Sequence, residues 1–174
     1  MNRVQDLRNK YSLQVQGEDP LHPIRLIRRI HDAMPGNTPV ATDVGQHQMW
    51  VAQAWPFSAP RTFLTSGGAG TMGFGLPSAM GAALADPDRR VILFAGDGSL
   101  LMNVQELDTL AEENLKVAIF VMNNNALGLV RQQQELFYSG NYIASSFKSK
   151  PDFVKIAEGF GIKAYHLSEA AQMD

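Results

Sequence analysis

The sequence contains no cysteine, so it can form neither a disulfide nor a cysteine-ligated metal site. It has no apolar run long enough to span a bilayer. Its first residues, MNRVQDLRNKYSLQ, are polar and lack the apolar stretch of a signal peptide. A net charge of −2 gives no reason for attraction to nucleic acid or to a membrane surface. We therefore expect a cytoplasmic protein that binds neither.

The composition is that of one ordinary globular α/β domain. The 174 residues suffice for a sizeable core, with 45% hydrophobic and 18% charged residues. Residues 1–18 are polar and weakly patterned, and we interpret them as a linker or tail. Residues 19–174 are predicted to form the domain, an α/β fold with a three-layer, doubly wound parallel sheet.

Apolar periodicity and breaker residues predict the order of elements along the chain. The predicted strands are 38–42, 61–66, 91–95, 117–122 and 162–167. The predicted helices are 19–34, 75–85, 103–114, 126–138 and 151–161, with one more entered at Gln46-His47 and another beginning at Ser168. The first helix is expected to start at Asp19-Pro20, with the aspartate as N-cap. Residues 139–150, which are polar and serine-rich, are predicted to be a mobile loop or lid.

Two wholly apolar runs, Val91–Ala95 and Val117–Met122, dominate the middle of the chain. Strands that read this way are buried on both faces, as in parallel sheets. A helical stretch, 103–114, separates the two runs and makes them a βαβ unit. Asp97 and Asn124 then follow the carboxyl ends of two parallel strands, at the edge where open α/β sheets bind ligands.

The residues at this edge suit a magnesium ion that holds a diphosphate. Mg²⁺ takes few protein oxygens and fills the rest of its octahedron with phosphate and water. Asp97 offers a carboxylate, Asn124 offers an amide carbonyl, and a backbone carbonyl of the next turn can be a third ligand. Gly96 and Gly98 let the backbone approach an anion, and Ser99 lies where free N–H groups of a helix start favour phosphate. The alternative is two ordinary surface turns after core strands.

A glycine-rich loop offers a competing interpretation. Gly68, Gly70 and Gly73 form G-x-G-x-x-G between a strand and a helix, as in dinucleotide-binding proteins. That fingerprint requires an acid at the end of the next strand to hold a ribose, and the acid found there is Asp97 between two glycines. The nicotinamide interpretation is therefore disfavoured, and we expect the glycines to approach a different ligand.

Three other residues at the predicted edge have both a functional and a structural interpretation. Gln46 and His47 enter a helix after the first strand and are candidates for an anion contact, although a packed or capping role for His47 is the more common outcome. Met72 is either a flexible apolar support for a ligand or ordinary core packing. Trp50 is assigned to the core.

The stretch from Thr42 to about Leu167 resembles the large catalytic subunit of acetolactate (acetohydroxyacid) synthase, in its C-terminal thiamine diphosphate-binding domain. The ALGLVRQQQ stretch is most similar to the enterobacterial isozyme I type. The segments that carry the resemblance are DVGQHQMW (43–50), RTFLTSGGAGTMGFGLP (61–77), GDGSLLMN (96–103), MNNNALGLVRQQQELFY (122–138) and PDFVKIAEGFG (151–161). Asn124 lies 27 positions after Asp97 (124 − 97). The pair GDG and NN at this spacing, each closing an apolar strand, resembles the thiamine diphosphate motif.

The resemblance implies a role for each site residue. Mg²⁺ is held by the Asp97 and Asn124 side chains and the Ala126 carbonyl. Met72 supports the bent cofactor, and Gln133 stands where most of the family has tryptophan and sets the preference between acceptor substrates. The residues implied to contact the cofactor are Gln46, His47, Gly70, Thr71, Met72, Asp97, Gly98, Ser99, Asn124, Asn125, Ala126, Leu127, Gly128 and Leu129.

The implied reaction decarboxylates pyruvate and joins the two-carbon unit to a second 2-keto acid, such as 2-ketobutyrate, in branched-chain amino acid biosynthesis. The implied cofactors are thiamine diphosphate, Mg²⁺ and FAD, the last mainly through a domain not in this chain. The implied partners are further copies of the subunit, as a homo-oligomer, and a small regulatory subunit.

The chain departs from this family in length. A full catalytic subunit is much longer and carries the cofactor-activating glutamate in another domain. We therefore expect a fold truncated at its C-terminus, no catalytic residue within the 174 positions and no activity of the chain alone. The alternatives are a natural half-enzyme subunit, a non-catalytic binding module, or a domain of glyoxylate carboligase, pyruvate oxidase or benzoylformate decarboxylase.

Overall fold

Four parallel strands form the centre of the protein in a computed structural model that describes residues 2–11, 13–15 and 17–173. The strands are β1 (Val40–Thr42), β2 (Phe63–Thr65), β3 (Val91–Gly96) and β4 (Val117–Met122). The helices are α1 (Asn2–Lys10), α2 (Pro23–Asp32), α3 (Gln46–Ala54), α4 (Gly75–Ala85), α5 (Asp97–Leu100), α6 (Glu106–Glu112), α7 (Gly128–Phe137) and α8 (Phe153–Gly159). Two 3₁₀ segments span Leu101–Asn103 and Ala170–Met173. Within the described ranges, no helix is long and apolar enough to cross a bilayer.

The strand order is β2-β1-β3-β4, and every pairing is parallel. β3 lies between two neighbours, with Ile92 opposite Val40 and Val91 opposite Val117. The first five residues of β3 are fully buried, whereas all of β4, at the edge of the described sheet, is half-buried. The prediction of a βαβ unit is therefore confirmed, but burial on both faces holds only for its first strand.

Two apolar clusters cover the two faces of the sheet. Leu93 and Ala95 of β3 pack with α4 and α6, and Phe153 and Ile156 of α8 pack against that cluster. On the opposite face Phe94 packs with α2 and α3. Because successive side chains of a strand alternate between faces, β3 contributes to both clusters. The predicted three-layer α/β architecture is confirmed.

The start of α2 differs from the prediction. The N-cap is His22, whose Nδ1 accepts a hydrogen bond from the Ile24 N–H at 3.3 Å, and Pro23 is the first helical residue. Asp19 instead accepts from the Leu21 N–H at 2.9 Å, so its side chain closes a local turn before the helix. Asp19-Pro20 and His22-Pro23 each contain a residue able to cap a helix. Because the Asp19 side chain is used in the local turn, the helix begins after the second pair. Helix α1 was not predicted at all.

The helical stretch after β3 was predicted to begin at Asn103, but it begins at Asp97 and passes through 3₁₀ geometry before α6. Helix α8 was predicted to begin at Pro151, but Asp152 caps it by accepting from the N–H groups of Val154 and Lys155. In contrast, α4 and β4 have the predicted bounds.

The predicted strand 162–167 is wrong, because the structure assigns no strand there. Ile162 packs against the core, but Lys163, Tyr165, His166 and Leu167 are exposed, so the segment is tied to the domain only at its start. After Ser168 the chain forms a 3₁₀ segment rather than an α-helix.

Candidate functional site

A cavity of about 90 Å³ opens at the carboxyl ends of β1, β3 and β4. β1 and β4 run into turns at this edge and β3 runs into α5, since parallel strands end at the same edge. The predicted residues that line it are Gln46, His47, Met72, Asp97, Gly98, Ser99, Asn124, Ala126, Leu127, Gly128 and Leu129. Gly96, expected to approach an anion, also lines it, and the wall contains residues outside the predicted set, namely Val44, Gly45, Trp50, Met122 and Val130.

Four predicted site residues do not line this cavity. Gly70 and Thr71 are exposed in a turn that closes on itself through hydrogen bonds to Ser66. Asn125 belongs to the turn after β4 but does not line the cavity, and Gln133 is exposed on α7. Their roles toward a ligand stay predictions.

Asp97 is the first residue of α5 and only 4% exposed. Burial raises the pKa of its carboxyl, and the N–H groups of Gly98, Asn125 and Ala126 partly offset that rise. The carboxylate therefore lies against the turn that follows β4, although Asp97 itself follows β3. A buried carboxylate without a cation of its own is a natural ligand for one.

Asn124 lies in the turn after β4, at the opposite side of the same cavity. Its Oδ1 accepts from the Ala126 N–H at 3.0 Å, and its Nδ2 donates to Gln46 Oε1 at 3.5 Å. Asn125 has a φ of +55°, and its N–H donates to Asn123 Oδ1 at 3.1 Å. This tight turn brings the Asn124 side chain and the backbone of Ala126 to the cavity wall. An amide oxygen has a second lone pair with which it can bind a metal.

Two glycines leave the space that this arrangement needs. A Cβ at Gly98 would lie 2.9 Å from Leu127 Cδ2 and 2.9 Å from Phe147 Cζ. A Cβ at Gly128 would lie 2.6 Å from Asn124 Nδ2 and would collide with Gln46 Oε1. Since real Cβ atoms do not approach so closely, a side chain at Gly98 would displace the Leu127 and Phe147 side chains, and one at Gly128 would displace the Gln46 and Asn124 amides.

Ser99 lines the cavity, but its hydroxyl is occupied by its own turn. Ser99 Oγ accepts from the Gly96 N–H at 3.1 Å and lies 3.2 Å from the Gly96 carbonyl oxygen, to which it donates. This reciprocal pair fixes the sharp passage from β3 into α5. The residue can therefore offer a backbone N–H to an anion while its side chain holds the turn.

His47 is 4% exposed, and its Nε2 has no hydrogen-bond partner in the described part of the protein. Burial lowers the pKa of His47 to about 4, against the opposing effect of the Asp43 charge. The ring is thus neutral at pH 7. The expectation of a packed histidine holds for its burial, yet a buried ring nitrogen without a partner inside the protein fits contact with a polar ligand.

Asp43 was not assigned to the site, and it holds the glycine-rich loop in place. Its buried carboxylate accepts from the N–H groups of Val44 at 2.7 Å, Gly73 at 2.9 Å and Gly75 at 2.8 Å. Met72, directly before Gly73, is thereby held at the cavity wall. An acid directly after a short apolar strand was the available signal, but its partners lie about thirty residues away in sequence.

The segment 139–150, predicted to be a mobile loop or lid, is tied to the site at its middle. The Leu127 N–H donates to the Ser145 carbonyl at 2.8 Å, and the Phe147 N–H donates to the Asn125 carbonyl at 2.9 Å. Ser145 is 1% exposed. This part of the loop therefore packs on the 125–127 turn, while residues 141–144 are exposed.

The described residues contain no cluster of three or more histidine, cysteine or acidic side chains that could form a metal site. The arrangement at the cavity is one carboxylate, one amide oxygen and the backbone of a turn. Such a set fits Mg²⁺ held jointly by protein and phosphate, because this ion is usually bound by only one or two carboxylates.

Comparison with known proteins agrees with this geometry. Residues 43–174 match the family model of the thiamine pyrophosphate enzyme, C-terminal TPP binding domain. The chain is 51% identical over 169 residues to the acetolactate synthase isozyme 1 large subunit of Escherichia coli K12, covering 97% of this chain and 30% of that protein. It is 43% identical to a probable acetolactate synthase large subunit of Methanococcus aeolicus, with 95% of this chain and 29% of the relative covered.

A solved structure is also similar, the thiamine diphosphate-dependent 4-hydroxybenzoylformate decarboxylase of Rhodococcus jostii RHA1. The TM-score is 0.81 at 26% identity, with 93% of this chain and 30% of that chain covered. The chain thus spans about 30% of the length of these relatives. It belongs to the thiamine pyrophosphate enzyme family, as a C-terminal TPP-binding domain similar to that of acetolactate synthase large subunits.

Proposed function

We propose that the cavity holds the diphosphate of thiamine diphosphate together with Mg²⁺, and that the complete enzyme is an acetolactate synthase. In that enzyme pyruvate loses CO₂, and the remaining two-carbon unit joins a second molecule of pyruvate or 2-ketobutyrate. The bound cofactor supplies the electron sink for this decarboxylation and carbon–carbon bond formation. The 51% identity to an acetolactate synthase subunit favours this reaction over that of the decarboxylase, at 26%.

The observation that carries the proposal is the meeting of Asp97 with the 124–126 turn at one cavity. Asp97 and Asn124 are the proposed side-chain ligands of the metal, and the Ala126 carbonyl is the proposed third. The partnerless Nε2 of His47 adds a polar contact on the wall contributed by α3. Two unrelated surface turns would not bring these groups to the same cavity.

Each group has a distinct task in the proposed site. The Asp97 carboxylate would offset part of the charge of the metal, and the metal would supply positive charge to the diphosphate. The backbone around Gly98 and Gly128 approaches the anion closely, since neither residue has a side chain. Met72, held by the Asp43 anchor, places an apolar surface beside the cavity and keeps water from that side.

The remaining parts of the proposal concern the complete enzyme. FAD, a homo-oligomeric assembly and a small regulatory subunit are proposed from the resemblance to acetolactate synthases. Residues 1–18 are proposed as a linker or tail before the cofactor-binding domain. The 174 residues by themselves are expected to bind the cofactor without turning over pyruvate.

Isothermal titration of thiamine diphosphate into the 174-residue chain, with and without Mg²⁺, tests the proposed site. We expect binding that requires Mg²⁺ and an Asp97→Ala affinity weaker by roughly 100-fold, in keeping with the few kcal/mol lost with a buried charge partner. Asp108→Ala, which removes an exposed carboxylate from α6, is the matched control and should bind like the wild type. Equal affinity of Asp97→Ala and Asp108→Ala would contradict the proposal.

A further inference from the structure

A chain of side-chain amides crosses the opening of the site, from α7 to α3 and on to the turn after β4. Gln46 Nε2 donates to Gln132 Oε1 at 3.0 Å, and Gln46 Oε1 accepts from Asn124 Nδ2 at 3.5 Å. Gln132 and Gln46 are 86 residues apart in sequence, and Gln46 and Asn124 are 78 apart. We call these three residues the amide chain.

The amide chain stands between two cavities. The first is the cavity of the proposed cofactor site, and the second, of about 250 Å³, is polar and adjoins it. Four residues line both cavities, namely Gln46, Asn124, Ala126 and Gly128. Gln132 lines only the second cavity, together with Arg131 and Glu135. Gln132 therefore lies outside the first cavity and is hydrogen-bonded to one of its wall residues, Gln46.

Each amide in this chain has a donor end and an acceptor end, so one orientation dictates the next. Gln132 Oε1 accepts, which turns Gln46 Nε2 toward α7 and Gln46 Oε1 toward Asn124. Asn124 must then present its Nδ2 to Gln46, and its Oδ1 points away, where it also receives the Ala126 N–H. An inverted Asn124 would place an N–H₂ group where the proposed site needs an oxygen.

Gly128 preserves this contact. A Cβ there would occupy the space between Gln46 Oε1 and Asn124 Nδ2. Gly128, the first residue of α7, therefore permits the Gln46–Asn124 hydrogen bond, and Gln132 of the same helix orients it.

We propose that Gln132 is a positioning residue that orients the Gln46 and Asn124 amides and thereby presents the Asn124 oxygen to the metal. The inference rests on the proposed function of the site, and it adds a residue that neither motif nor cavity wall assigns to the cofactor. Gln132 does not touch the ligand, so its effect should appear in the metal requirement rather than in the fold.

The test is the Mg²⁺ concentration that gives half-maximal binding of thiamine diphosphate to the 174-residue chain. Gln132→Leu, which removes the acceptor at similar size, should raise that concentration about tenfold, the effect of losing roughly one hydrogen bond. Gln132→Glu offers only acceptor oxygens and should stay within about twofold of wild type. Gln53→Leu, an exposed glutamine change on α3, is the control for the substitution itself.

Two outcomes would overturn the proposal. These are an unchanged Mg²⁺ requirement in Gln132→Leu, or equal weakening of binding in Gln132→Leu and Gln132→Glu. Should Gln132→Leu unfold, nuclear Overhauser contacts between the side-chain amide protons of Gln46 and the Gln132 side chain in the wild-type chain decide instead. Asp97→Ala is measured in parallel, because normal binding by that variant would refute the site itself rather than the role of Gln132.

Discussion

The two halves of the proposed metal site differ in how the fold supports them. Asp97 follows β3, whose side chains are buried between two clusters, and it is itself buried. Asn124 follows β4, a half-buried edge strand, and it is exposed. The central half is held by the core, whereas the edge half is held by hydrogen bonds to Gln46, within its own turn and to the segment 145–147. The same cavity thus has one rigid wall and one wall that depends on a few polar contacts.

A matched pair of phenylalanines tests this difference in support. Phe94 of β3 and Phe120 of β4 are stacked with ring centroids 5.5 Å apart, but only Phe94 is fully buried. Phe94→Ala should lower the free energy of unfolding by about 3–5 kcal/mol through cavity formation, and Phe120→Ala by about 2 kcal/mol. Urea denaturation of both variants measures the two losses. Equal losses would show that β4 is as firmly embedded as β3.

The second prediction concerns the effect of His47, on the cavity wall formed by α3, on stability at acidic pH. The pKa of His47 is about 4 in the folded protein, below the ordinary value of 6.5. The unfolded chain therefore binds an extra proton between these values, and the free energy of unfolding should fall by about 3 kcal/mol as the pH drops from 6.5 to 4. Denaturant titrations across this range should show the fall in wild type and its absence in His47→Gln.

Asp97 affects stability in the opposite sense, because its pKa is raised above 3.8 and the folded state there holds its proton more tightly. The difference between the wild-type and His47→Gln curves isolates the imidazole. If the free energies of unfolding of wild type and His47→Gln change in parallel with pH, the pKa of His47 is not lowered in the folded protein.

Much of the central half could be predicted from sequence alone. The apolar run of β3 and the Gly-Asp-Gly after it are local signals, and so is the small-residue helix α4. The partners of Asp43 and Gln46 could not be predicted, since they are fixed by contacts across dozens of residues. The failed strand at 162–167 has the same origin, because alternating polarity indicates a strand only when a neighbour is present to pair with it.

The third prediction tests one of these long-range contacts. Asp43→Asn keeps the size of the side chain but places an N–H₂ group near the N–H of Gly73 or Gly75. We expect a loss of about 2 kcal/mol in the free energy of unfolding, since one buried donor is left unsatisfied. Hydrogen exchange should show faster exchange at Gly73 and Gly75. Protection equal to wild type would mean that the loop is held without Asp43.

The smallest predicted effect lies on the exposed side of α7. In the full-length enzyme, Gln133→Trp should shift the competition between acceptors toward 2-ketobutyrate by about 1 kcal/mol, because a wide apolar surface favours one extra methyl group. The product ratio in a mixture of pyruvate and 2-ketobutyrate measures the shift. An unchanged product ratio would show that Gln133 does not influence the choice of acceptor.

The central claim is that the two walls share one metal ion. The most direct measurement is a crystal structure of the chain soaked with thiamine diphosphate and Mg²⁺. We expect one ion bound by a diphosphate oxygen, the Asp97 carboxylate, Asn124 Oδ1 and the Ala126 carbonyl, at about 2.0–2.1 Å from each. An ion bound by Asp97 but not by Asn124 Oδ1 or the Ala126 carbonyl would contradict it, and so would a cofactor bound elsewhere.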